Sequence, residues 1–340
     1  MSIQKHIVSN DKTIYEAWPD IVQTNSGKLI CVFTECVSHS DRHKSKIVMC
    51  ESYDRGRTWS GKKALTEECG VDYIFNCARI SKINDGRIAV VCDKIPTGTR
   101  EDTGMAETYL WYDDYEGENW NEPQILNFKG IVPDKLRQLK NGRLLITNHY
   151  RSKKSGMLEQ HLHYSDDNGA TWSEDILVAA DERYHLCEAS IIECRDGTLV
   201  ALMRENSGLG YDCFKSISYD SGQNWSGVYH VPIPGCHRPV AGFLSDGSVM
   251  ISYRFCHNTL RGNRNTFLAF CDEDALKQTE RSKQKTTLYQ LDFDRSLSPD
   301  TGYTGWTQFS DGEVYIVNYI KDNEEKAQIR GYSFKWNEKM

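Results

Sequence analysis

A single unit recurs six times along this chain: an apolar strand, a tight turn ending in glycine, and a second apolar strand. The turn glycines are Gly27, Gly86, Gly142, Gly197, Gly247 and Gly312, separated by 59, 56, 55, 50 and 65 residues. Four of them follow Asp, Asn141-Gly142 makes a fifth pair, and Ser26-Gly27 is the weakest copy. Asp-Gly or Asn-Gly between apolar runs is a strong hairpin signal and predicts type I′ turns, with positive φ at both central residues. A unit of this size cannot bury its apolar face alone, so the copies must pack on one another in an array or a ring.

A second motif lies between the hairpins. Ser52-Tyr53-Asp54-Arg55-Gly56-Arg57-Thr58-Trp59 is matched from Ser165 to Trp172 and from Ser218 to Trp225, with a degenerate copy from Tyr112 to Trp120. In such an Asp-box turn the Asp accepts backbone N–H groups, the Gly takes a special φ, and the Trp packs on the strands. These residues are structural. Four strands per repeat predict an all-β fold, one six-bladed β-propeller over residues 1–340. Its blade cores fall near 18–60, 77–123, 133–173, 187–226, 237–271 and 303–335. The last blade has strands of its own near 305–310, 313–319 and 327–335, so residues 3–9 are expected to supply the fourth and close the ring. Residues 272–286 are polar and break the pattern, as a loop or short helix inserted in blade five.

Composition narrows the function classes. With 39% hydrophobic and 11% aromatic residues the chain is not disordered. A net charge of −7 argues against a nucleic-acid surface. No apolar run reaches the roughly 18 residues of a membrane helix. Of twelve Cys, Cys31, Cys92 and Cys271 sit in apolar strand-like runs, where buried thiols are common. Cys187 and Cys194, or Cys236 and His237, lack zinc-site spacing, so neither metal nor cofactor is expected. Residues 1–6 lack the apolar segment of a secretory leader. The expectation is therefore a cytoplasmic protein with reduced thiols.

Hairpin registers place candidate site residues. The start of each first strand and the end of each second strand share one end of the propeller. Nine residues before each turn glycine stand Trp18, Cys77, Pro133, Glu188, Arg238 and Tyr303. Seven residues after it stand Thr34, Asp93, His149, Arg204, Arg254 and Tyr319. Such a ring of polar groups at one mouth of the channel reads as a ligand site. Arg79 and His237, beside the ring positions, join the candidates.

These repeats, with three Asp boxes in step with six glycine hairpins, resemble the sialidase (neuraminidase) superfamily over nearly the whole chain. The resemblance implies an exo-acting glycoside hydrolase that cleaves a terminal sugar from a small saccharide or glycan. It implies Tyr303 in Gly302-Tyr303-Thr304-Gly305 as nucleophile and Glu188 as the carboxylate that polarises it. Arg204 matches a substrate-binding arginine, and Arg238 or Arg254 supplies a further cation. Asp41, in the loop after the first hairpin, matches the acid/base. The family's first arginine is replaced by Ala17 in Tyr15-Glu16-Ala17-Trp18-Pro19, and Tyr319 stands where the acid that buttresses that arginine belongs. The arginine clamp on a sugar carboxylate is then incomplete, and an acidic or deoxy sugar other than an ordinary sialoside is implied. Trp18 is placed to stack on a sugar face. Three alternatives stay open: inverting hydrolysis by Asp41 or Asp93, a lyase with His149 or His237 as base, and a non-catalytic binding propeller.

Overall fold

The computed structural model describes residues 2–98, 105–256 and 264–336. Residues 99–104 and 257–263, inside the second and fifth expected blade spans, lie outside the described residues. The described strands form six antiparallel sheets arranged as the blades of a propeller. Each is a meander from an inner to an outer strand. Blade four, for example, runs Leu186–Glu193, Leu199–Glu205, Asp212–Ser218 and Ser226–Pro234. Blade two carries a fifth short strand because its inner edge is split into Tyr73–Phe75 and Arg79–Lys82. The last sheet takes Gln4–Ser9 as its outer strand, paired with Gln328–Lys335, so the two ends of the chain close one blade.

Apolar side chains lie in layers between neighbouring blades. Val22, Ile30, Val32 and Met49 of blade one meet Ile80, Ile88, Val90 and Trp111 of blade two. Blades four and five meet through Val200, Leu202, Val249 and Ile251. A fully buried side chain of this size stabilises by about 1.5–3 kcal/mol. Because every inner blade face needs a neighbour, closing the ring makes these layers mutually dependent.

The six hairpin turns differ from the type I′ expectation. In each, the glycine N–H bonds back three residues, as from Gly86 to Ile83 O at 2.9 Å and from Gly197 to Cys194 O at 3.1 Å. Only the glycine has positive φ, between 85° and 93°. The preceding residue keeps an ordinary φ, and its side chain accepts the N–H of the residue after the glycine. Asp85, Asn141, Asp196, Asp246 and Asp311 do this at 2.9–3.2 Å. Asp and Asn were selected here as acceptors, not for left-handed backbone.

The Asp boxes behave as expected. Ser52 Oγ accepts Gly56 N at 2.8 Å, Asp54 accepts Thr58 N at 2.8 Å, and Trp59 Nε1 donates to Gly56 O at 3.1 Å. In the degenerate copy Asp113 serves both acceptor roles, toward Gly117 N and Asn119 N. Blade five has helix Glu273–Lys277 at this place, capped by Asp272, inside the polar insertion.

Four inner strands share a bulge. Register slips between Ala17 and Asp20, Cys187 and Ser190, His237 and Val240, and Gly302 and Gly305. The residue within each slip has left-handed backbone: Trp18 at 56°, Glu188 at 52°, Arg238 at 51° and Tyr303 at 61°. This conformation costs a non-glycine residue of order 1–3 kcal/mol. A bulge bends its strand and re-aims one side chain. Three of these four side chains line the cavity at the mouth.

Candidate active site

A cavity of about 400 Å³ opens where the first strands begin and the second strands end. Its wall includes Trp18, His39, Arg42, His149, Glu188 and Tyr303. At its centre the Tyr303 hydroxyl donates to Glu188 Oε1, and Arg204 Nη1 reaches the same oxygen at 2.9 Å and the Tyr303 oxygen at 3.2 Å. The two partners lie 115 residues apart in sequence and are joined only by the blade arrangement. The Arg254 guanidinium carbon lies 4.8 Å from the centre of the Tyr303 ring. Glu188 Oε2 is buried with no hydrogen-bond partner among the described residues.

Electrostatics fix the resting proton. Burial would raise the Glu188 carboxyl, but Arg204, Arg238 and Arg254 outweigh it and pull it down to about 2. Burial, then the Glu188 charge, drive the Tyr303 phenol upward against Arg204 and Arg254. The pair therefore rests as neutral phenol and carboxylate.

Several expected ligand groups lie elsewhere. Asp41 is outside the cavity. Its half-exposed carboxylate accepts the backbone N–H of His43 at 3.1 Å and pairs with its ring at 2.6 Å, a local turn that faces solvent and puts His39 and Arg42 in the cavity wall. Arg79 is wholly buried, pairs with Asp20 at 3.4 Å, and donates to Pro19 O and Thr304 O, which ties three blades together. Arg238 is wholly buried and bonds Pro133 O at 3.1 Å; it acts on Glu188 by its charge rather than by touching the cavity. Asp93 accepts Asn76 Nδ2 at 3.0 Å and Val132 N at 3.1 Å in the interior. The His237 ring lies 3.4 Å from Arg254, outside the wall; burial and nearby arginines push its pKa well down. Trp18 does line the cavity, but it is 1% exposed, and the Arg42 guanidinium sits 4.7 Å from its ring. A sugar cannot stack on the face Arg42 covers. His149 is in the wall as expected, its Nδ1 accepting Glu188 N at 3.4 Å.

Other cavity residues were missed. Arg151 and Asn206 lie two residues beyond His149 and Arg204, and the period of a strand would have found both. Arg42 and Arg264 come from loop-proximal positions without a register signal. Together Arg42, Arg151 and Arg264 join Arg204 and Arg254, so the cation deficit expected from Ala17 is not what the cavity presents. Asp300, next to Tyr319, accepts its hydroxyl at 3.0 Å and pairs with Arg264 at 3.0 Å.

Comparisons with known proteins agree with this architecture. A protein of unknown function from Dyadobacter fermentans superposes with a TM-score of 0.80 at 20% identity, covering 98% of this chain and 99% of that one. The intramolecular trans-sialidase of Ruminococcus gnavus gives 0.69 at 16% identity over 95% of both chains. An α-L-arabinofuranosidase from Fusarium graminearum gives 0.68 at 10% identity over 97% of both. In sequence, the anhydrosialidase of Macrobdella decora is 30% identical over 139 residues, spanning 36% of this chain but only 16% of that protein's length. The defining pattern of the BNR repeat-like domain matches residues 76–316, a stretch that holds five of the six turn glycines and both members of the buried Tyr–Glu pair. A sialidase-like propeller carrying that pattern over most of its length belongs to the BNR repeat-like domain family.

Proposed function

We propose that the mouth cavity is the active site of an exo-acting glycoside hydrolase that removes a terminal anionic sugar with net retention, Tyr303 acting as nucleophile. The observation that carries this reading is the buried hydrogen bond from Tyr303 to Glu188, flanked by Arg204. Sialidases depart from the usual carboxylate pair by using tyrosine. A neutral phenol avoids repulsion from an anionic substrate, and Glu188 takes its proton as the bond to the anomeric carbon forms. Five arginines against one carboxylate in the wall suit a carboxylate or similar anion on the sugar. A cavity of about 400 Å³ fits one terminal residue rather than a polymer cleft. The relatives named as sialidase-type or arabinofuranosidase enzymes make glycoside hydrolysis the natural class.

The test is a panel of aryl glycosides, the α-sialoside included, assayed with wild type and Tyr303→Phe. Wild type is expected to release phenol from at least one of them, with the first-formed sugar retaining configuration by NMR. Tyr303→Phe should lose at least about 1,000-fold in kcat/KM while still unfolding in one cooperative transition. No turnover on any glycoside, or a Phe variant of near-normal rate, would overturn the proposal.

A further inference from the structure

Tyrosine attack needs a partner that protonates the leaving oxygen, and the residue expected to do so, Asp41, is turned to solvent. Among the described residues, Glu188 is the carboxylate of the cavity wall, and it is committed to Tyr303 and Arg204. His149 Nδ1 accepts the backbone N–H of Glu188, which ties this ring to the nucleophile's side. One further titratable group in the wall has the form of a proton shuttle. His39 lies in the same loop as Asp41, two residues earlier, and its Nδ1 is 3.0 Å from Asp300 Oδ2.

Asp300 is built to orient that ring. It is buried, its backbone N–H is held by Asp294 at 2.9 Å, and its carboxylate also receives the Tyr15 hydroxyl, the Tyr319 hydroxyl and Arg264 Nη1. Burial would raise this carboxyl, but His39, Tyr15 and Arg264 hold it far below the ordinary range, so it stays ionised. Trp18 and Tyr15 set the plane of the His39 ring edge-on, with centroids at 5.6 and 6.3 Å. With Nδ1 committed, Nε2 is the nitrogen left for a ligand, and it has no partner among the described residues.

We propose that His39, oriented by Asp300, is the general acid and base of this cavity. The inference rests on the hydrolase reading above. As the Tyr303 oxygen bonds to the anomeric carbon, its proton passes to Glu188. The glycosidic C–O bond breaks, and the leaving oxygen takes the Nε2 proton of the His39 imidazolium. The neutral ring then accepts a proton from water as the water oxygen attacks the anomeric carbon. Tyr303 departs and recovers its proton from Glu188, and both side chains return to their starting states. Asp300 is the positioning residue: it holds Nδ1 and does not give up a proton itself. Among the described residues, the charged and titratable groups facing His39 besides Asp300 are Tyr15, Arg42 from its own loop, and Arg264 and Tyr319 through Asp300.

The experiment compares His39→Gln with wild type on the 4-nitrophenyl and methyl glycosides of the sugar that wild type hydrolyses. The glutamine amide can still donate to Asp300, which protects the fold. The activated aryl group needs little protonation, so the variant should keep kcat/KM on it within about 10-fold, its kcat falling because the second step has lost its base, while kcat/KM on the methyl glycoside drops about 100- to 10,000-fold. Retained aryl activity also shows that the variant is folded. The fall in wild-type kcat/KM on the alkaline side, where the acid loses its proton, should be absent from the variant. Equal losses on both glycosides, no loss on either, or an unchanged alkaline limb would overturn the role of His39 while Tyr303→Phe still reports on the nucleophile. A wild type inert toward every glycoside would overturn both.

Discussion

Replacing Glu188 by Gln tests the electrostatic construction of the site independently of any substrate. The side chain is almost fully buried, and its carboxyl sits at about 2 rather than the ordinary 4.5 because three arginines outweigh the burial. At about 1.4 kcal/mol per pH unit, that difference favours the ionised form in the folded protein by about 3 kcal/mol. A carboxyl with a depressed folded pKa contributes its full stability above its unfolded value, and loses it as pH falls toward 2. Gln mimics the protonated carboxyl. The variant should therefore be less stable by about 3 kcal/mol at pH 7, by roughly half that at pH 3, and by almost nothing at the folded pKa. With about 2.1 cal/mol/K of unfolding entropy per residue, 340 residues give about 0.7 kcal/mol/K, so Tm at pH 7 should fall by about 4 °C. Urea unfolding followed by tryptophan fluorescence at the two pH values reads the gap directly. A gap that is the same at pH 3 and pH 7, or a variant as stable as wild type at pH 7, would refute the arginine cage around Glu188.

Two more perturbations probe the scaffold. Lys215 is wholly buried, bonded to Leu276 O at 2.5 Å beneath the inserted helix, and burial lowers its ammonium to about 8. Between that value and 10.5 the unfolded chain holds the proton and the folded one does not, so stability rises with pH; the difference between wild type and Lys215→Met should move about 3 kcal/mol in wild type's favour from pH 7 to 10.5. A constant difference across that range would show that the ammonium is not buried. A Cβ at Gly56 would lie 2.2 Å from the Tyr315 ring at φ +83°, whereas one at Gly197 meets nothing within 4 Å at φ +86°. Chemical denaturation should show about 1–2 kcal/mol lost by Gly197→Ala, from backbone strain alone, and at least about 3 kcal/mol by Gly56→Ala. Equal losses would mean that the Asp-box contact with the neighbouring blade is soft.

How far the site could be read in advance differs from residue to residue. Glu188, Tyr303 and Arg204 were legible because each sits at a constant offset from a hairpin glycine, and the hairpin hydrogen bonds convert that offset into height along the channel. Arg238 shares the same offset and the same bulge, yet it is held by Pro133 O and lies outside the cavity wall. An offset locates a backbone position, but packing between blades decides where a long side chain ends.

Strand count, blade order and ring closure follow from local patterns repeated along the chain, whereas the pairing of Tyr303 with Glu188 is implied by the family resemblance and made by the assembled blades. Hydrogen-bonded turns and alternating burial are short-range physics that a single sequence displays. The orientation of the loop at 38–43 does not follow from such patterns. Asp41 and His39 are two residues apart, and only the contact of His39 with Asp300, 261 residues away, decides which of them meets the cavity. The same holds for Arg79, whose guanidinium is drawn inward by Asp20 and by carbonyls of two other blades. A buried charge goes where its partners are, and those partners are assembled only when the ring closes.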